Sequence, residues 1–221
     1  MISLSDPRVR AARLVDTAED FVDLGDFGDL LLVDRTRKVV SNQSRHFLKV
    51  RKGVAARLAA ASETLSNRGL RLLVKEGYRP LSLQRAYFDR RLVKLRDEYP
   101  SASEDRLFEL ASRYAAPPEV AAHPTGAAVD LTLATVEGVE LDMGSVLNAT
   151  DEESSGACYT ECQFISRHAR DNRQELKEAM QSAGFINYPP EWWHWSYGDR
   201  YWAVICGAQH ALYGPVEEDD L

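Results

Sequence analysis

Alanine and leucine recur at helical spacing through VRKGVAARLAAASETLSNRG, from about Val50, and Gly69 supplies the stop. The pattern then changes. LRLLVKEGY is apolar over a strand's length, and Pro80 in the following YRP ends any ladder and biases Arg79 toward extended backbone. A helix followed by a strand is predicted, with Arg79 at the strand's end. Ser82 is placed to cap a helix through LSLQRAYFDRRLVKLRDEY, and a second helix is expected near Ser101, where Glu104 resembles the far half of a capping box. AAPPEVAAHPTG reads as a loop, and AAVDLTLATVEGVELDMG as two β-rich runs around Glu137-Gly138, a hairpin pattern. A long helix is expected from about Glu161 to Ala183, ending at Gly184, while FINY, WWHWSYG and YWAVIC carry strand composition. Helices that precede and interrupt a mostly antiparallel sheet predict an α+β fold.

Composition narrows the function more than the fold. A chain of 221 residues suits one domain spanning 1–221, and 44% hydrophobic with 28% charged residues is ordinary for a globular protein. The net charge of −7 argues against a nucleic-acid partner, which needs basic surface. The N-terminus has no apolar run behind its positive charges, and no stretch approaches a membrane span, so a cytoplasmic location without a membrane partner is expected. Cys158, Cys162 and Cys206 form an odd set without paired motifs and are expected as reduced thiols, and residues 215–221 read as a solvated acidic tail.

Candidate chemistry centres on two of the five histidines. His123 sits in the loop HPTG, and Asp130 then interrupts an apolar strand, which is costly unless the carboxylate is paired or bound to a cation. His194 lies among tryptophans, where strand alternation groups Trp192, His194 and Ser196 on one face and Trp193, Trp195 and Tyr197 on the other. Glu191, about 10 Å of strand away from His194, reaches the same site if Pro189 and Pro190 bend the chain. Two histidines and a carboxylate leave a fourth position for water, the open arrangement of catalytic zinc. Glu191 then suits a general base, and Arg79 a fixed cation for an oxyanion. The competing reading of each histidine is a packed core residue, and of Arg79 a surface salt bridge.

EGYRP, HPTGAAVDLTL and GFINYPPEWWHW together resemble the zinc D-Ala-D-Ala dipeptidases, over roughly Phe47 to Trp202. Residues 1–46 form a divergent N-terminal segment. The resemblance implies that His123, Asp130 and His194 bind Zn2+, that Glu191 is the catalytic base and that Arg79 steadies the transition state. It implies a small dipeptide-like substrate, with Trp193 also near it. Two departures fall where that family holds the substrate's free amine: Ala121 stands in place of a serine and Asn148 in place of an aspartate. An amidase or peptidase acting on an N-capped or otherwise modified small substrate is therefore an alternative. A non-haem iron oxygenase also uses two histidines and one carboxylate, but His123 and Asp130 lie seven apart rather than in its short spacing. A catalytically idle zinc-binding module would be expected to have lost Glu191 or Arg79, and both are present.

Overall fold

The computed structural model describes residues 2–36 and 44–221; within the N-terminal segment, residues 1 and 37–43 lie outside it. Its strands are β1 (Phe21–Asp23), β2 (Leu32–Val33), β3 (Lys49–Arg51), β4 (Leu70–Glu76), β5 (Ala128–Thr135), β6 (Ile186–Asn187) and β7 (His194–Ser196). Its helices are α1 (Pro7–Ala11), α2 (Lys52–Ser66), α3 (Leu81–Glu98), α4 (Glu104–Ala111), α5 (Asp151–Ser154), α6 (Arg167–Ser182) and α7 (Arg200–Cys206). β1 pairs antiparallel with β3, and the other strands form one sheet in the order β2-β4-β5-β7-β6. Only β2 runs parallel to its neighbour, so the architecture is α+β with a mostly antiparallel sheet.

Alternation along β5 gives the sheet two different faces. Val129, Leu131 and Leu133 point into the main core, where they meet Leu72 and Val74 of β4, Trp195 of β7, Leu58 and Leu65 of α2, and Leu176 and Met180 of α6. Asp130 and Thr132 point the other way. In β4 the register shifts between Val74 and Glu76. Leu72 and Val74 are core residues, and simple alternation would send Glu76 after them. The shift at Lys75 instead turns Glu76 to the side of Asp130, its cross-strand partner, as bulges do when they re-aim a side chain. Asp130 is in turn opposite His194 on β7, so Glu76, Asp130 and His194 form one row across three strands.

Several expectations from the sequence need correction. YWAVIC is helical, not extended: Asp199 caps α7 by accepting the backbone N–H groups of Tyr201 and Trp202, and Gly207 closes it in a left-handed conformation. The helix expected from Glu161 starts at Arg167, capped by Ser166. Ser82 lies inside α3, and Ser103 rather than Ser101 caps α4. Beyond the Gly138 turn the second run contributes only the bridge between Glu140 and Ala134. The acidic tail is docked rather than free, since Glu218 accepts from the Ser44 hydroxyl at 2.6 Å and the Val216 carbonyl accepts from Tyr78 at 2.8 Å. Among the described residues, no helix is long and apolar enough to cross a membrane.

Candidate metal centre and active-site cavity

His123 stands on a short 3-10 turn (His123–Thr125) that ends at Gly126, whose φ of 70° favours glycine. A Cβ on Gly126 would come within 2.3 Å of the Phe21 ring, so the loop packs against β1 at backbone distance. Arg51, buried on β3, pins the same loop by donating to the Thr125 carbonyl at 2.9 Å, and the Gly126 carbonyl accepts from the Arg51 backbone N–H. The His123 ring is oriented from behind. Its Nδ1 lies 2.6 Å from the Gly77 carbonyl, which only accepts, so Nδ1 is the donor there and Nε2 is the nitrogen turned to the cluster. Nε2 faces Asp130.

His194 approaches from the next strand. Its Nδ1 is 3.0 Å from Asp130 Oδ1, and His123 Nε2 is 3.4 Å from the same oxygen. The three ligand atoms lie within 4.8 Å of one another. A tetrahedral ion with Zn–N and Zn–O bonds near 2.0–2.1 Å requires donor separations of about 3.3 Å, so the donor set fits zinc in type, and the two nitrogen–oxygen separations fit it in spacing. Burial, the largest influence on Asp130, raises its carboxyl pKa. His123 and His194 more than offset it and hold the group far below the usual carboxylate range.

Glu191 reaches the cluster through a tight turn rather than along a strand. The Glu191 carbonyl accepts from the His194 N–H at 3.1 Å, and Glu191 N–H donates to Tyr188 at 2.9 Å, folding PPEW back on itself. Glu191 Oε2 thereby comes to 4.0 Å from His194 Nδ1. This turn also limits the strand alternation to His194–Ser196. Trp192 is not on the His194 face but buried in the core, its indole N–H donating to Ser145 at 2.9 Å. Burial pushes the Glu191 carboxyl up to about 7; the Asp130 and Glu76 charges add to this, while His194 and Arg79 oppose it.

Arg79 is not in a surface salt bridge. Its Nε donates to Glu76, 2% exposed, at 2.7 Å, and a terminal nitrogen donates to Gln84 Oε1 at 2.9 Å. Gln84 is itself tied to the Ala116 carbonyl. Burial works against the guanidinium's charge, but the Glu76 contact outweighs it and raises its pKa further. Arg79, His123, Asp130, Glu191 and His194 all face one cavity of about 430 Å³, which Ala121, Asn148 and Trp193 also line. Every candidate site residue from the sequence therefore lines one cavity. Trp193 belongs to the core as well as the cavity wall. Cys158, also on the wall, is a free buried thiol whose pKa burial pushes up, and Cys162 is free and buried beside it in sequence.

Sequence reasoning missed Glu76, Gln84 and Tyr188. Glu76 carried a signal, a charge at the end of an apolar strand, but its face depends on the bulge. Tyr188, in FINY, stands edge-on to His194 with ring centres 6.3 Å apart.

A family model described as D-ala-D-ala dipeptidase matches residues 29–209. The chain belongs to the D-ala-D-ala dipeptidase family. The match begins upstream of Phe47, so the family likeness reaches into the segment that the motifs alone left divergent. A D-alanyl-D-alanine dipeptidase of Synechocystis is 31% identical over 202 residues, covering 79% of this chain and 82% of that protein. One of Enterococcus faecium is 32% identical over 154 residues, covering 66% and 72%. The solved LdcB LD-carboxypeptidase is similar at a TM-score of 0.48 and 18% identity, covering 89% of this chain and 76% of that one.

Proposed function

We propose that this family member hydrolyses the amide bond of a small dipeptide-like substrate containing D-amino acids, with Zn2+ held by His123, Asp130 and His194. The observation that carries the reading is the convergence of two imidazole nitrogens on one buried carboxylate oxygen, with a second carboxylate, Glu191, 4.0 Å from His194 and not needed as a ligand. Bound zinc supplies Lewis acidity that lowers the pKa of water to roughly 7 and polarises a carbonyl. Glu191 accepts the proton of the attacking water at Oε2 and returns it to the departing amine. Its placement, 4.0 Å from His194 and outside the ligand set, suits both halves of that transfer. Arg79, held on two sides by Glu76 and Gln84, keeps its charge aimed at the cavity, where it stabilises the oxyanion of the tetrahedral intermediate. The Gly77 carbonyl keeps His123 in the tautomer that presents Nε2.

A second reading concerns the substrate's amino end. Ala121 and Asn148 line the cavity, and neither offers the hydroxyl or carboxylate expected there for holding an ammonium. An N-capped or otherwise modified substrate is favoured on this ground. Release of free D-alanine from D-Ala-D-Ala and from its N-acetyl form, by zinc-loaded protein, tests both readings. Turnover of either supports the hydrolase, and strong preference for the free dipeptide contradicts the N-capped reading. An Asn148→Asp change is expected to improve free-dipeptide turnover.

A further inference from the structure

The family match starts at residue 29, yet the chain before it helps to build the cavity. Leu4 lines it beside Ala121, Ala122, Tyr188 and Tyr201. Ile2 and Leu4 pack with Val9 of α1 against Val120, Tyr188, Tyr201 and Val204, a small core separate from the main one. Hydrogen bonds fix the segment in place. The Tyr201 hydroxyl donates to the Ile2 carbonyl at 3.3 Å. Arg200 donates to the carbonyls of Arg10 and Ala12. Further along, Ala211 N–H donates to Arg13 at 2.8 Å and Val15 N–H donates to Ala211 at 3.0 Å. The segment is thus a fitted wall, not a loose arm.

Its position gives it a consequence for the substrate. Tyr188 packs with Leu4 and stands edge-on to His194. Leu4 thus adds apolar wall to the cavity that the metal cluster also lines, one residue removed from His194 through Tyr188. We infer that Leu4 is a specificity-determining residue: with Ala121 and Tyr188 it bounds a compact apolar subsite that accepts a methyl-sized side chain or short acyl group and rejects bulky or charged ones. The inference rests on the hydrolytic reading above and adds the substrate class it selects. Apolar subsites discriminate by about 10–200-fold per methylene, so the effect is measurable.

The test is kcat/KM for wild type, Leu4→Ala and Leu4→Asp, all zinc-loaded, on D-Ala-D-Ala and on dipeptides carrying D-Val, D-Leu or D-Asp at either position. Circular dichroism and zinc content identify any variant whose fold or metal is altered. Leu4→Ala is expected to raise the D-Leu to D-Ala ratio at one position about tenfold, through KM. Leu4→Asp is expected to lower the apolar substrates about tenfold relative to D-Asp. In wild type, a non-hydrolysable isostere of D-Ala-D-Ala is expected to slow backbone hydrogen exchange at residues 2–6. An unchanged order of substrates in all three proteins, with unchanged exchange, overturns the inference. If wild type hydrolyses no member of the series, the hydrolytic reading fails instead. Calorimetry of the isostere then decides the inference: binding that Leu4→Asp weakens about tenfold supports it, and binding that is absent or indifferent to Leu4 overturns it.

Discussion

Asp130, alone in the middle of a sheet, would cost several kcal/mol. It is affordable because two imidazoles face it, and that cost is what made it legible in the sequence: a carboxylate interrupting AV-LTL demands a partner. His123 and His194 were visible for a similar reason, as polar residues where the surrounding pattern is apolar. Glu191 is a different case, because it has no partner of that kind. Its carboxyl rises from 4.5 to about 7 on folding of the metal-free protein, chiefly through burial. The folded state then holds a proton that the unfolded chain has released, so stability falls as pH rises from about 4.5 to 7, and the penalty is fully present above 7. Glu191→Gln removes it. In chelator-treated protein this change is expected to raise the unfolding free energy at pH 8 by on the order of 3 kcal/mol, seen as a higher thermal midpoint, and to leave the midpoint nearly unchanged at pH 4.5. A midpoint that responds equally at both pH values would remove burial of the charge as the cause.

At the scale of elements, the site depends on two local departures from regular structure, a bulge and a turn. The bulge left no mark in the sequence, and the turn left only Pro189 and Pro190 as a hint that the chain bends before Glu191. The shift at Lys75 decides which face Glu76 takes, and the turn at Glu191–His194 replaces an extended approach by a folded one. YWAVIC misled because Val204 and Ile205 carry strand preference, whereas Asp199 as cap and Gly207 as stop outweigh it. The helix α2 and strand β4 were legible because their long apolar patterns agree with their packing. Gln84, on the first turn of α3, is predicted to matter through Arg79: Gln84→Ala is expected to lower kcat and kcat/KM together, about tenfold, with KM little changed, as for an interaction made only in the transition state. Gly126 tests the His123 loop. Both it and Gly207 have left-handed backbones, with φ of 70° and 65°, but only a Cβ at Gly126 meets a neighbour. Gly126→Ala should therefore cost more than the roughly 1–2 kcal/mol of backbone strain expected for Gly207→Ala, as read from urea unfolding.

For the whole molecule, the candidate metal cluster joins parts of the chain that are distant in sequence. His123, Asp130 and His194 link a loop and two strands, while Arg51 ties the His123 loop to the Glu19 and Gly214 carbonyls. Chelation should therefore lower the thermal midpoint of the entire fold, and added zinc should restore it, because a ligand bound only by the native state stabilises it in proportion to the logarithm of its concentration over Kd. A midpoint indifferent to chelator would mean that the cluster holds no ion. The central claim, that Glu191 acts on water beside a metal it does not bind, is met most directly by measuring bound zinc and D-alanine release in the same preparations of wild type and Glu191→Gln. The account predicts equal zinc, near one ion per chain, with turnover reduced by about 10²–10⁴. Turnover that survives the substitution, or zinc that is lost with it, would contradict it.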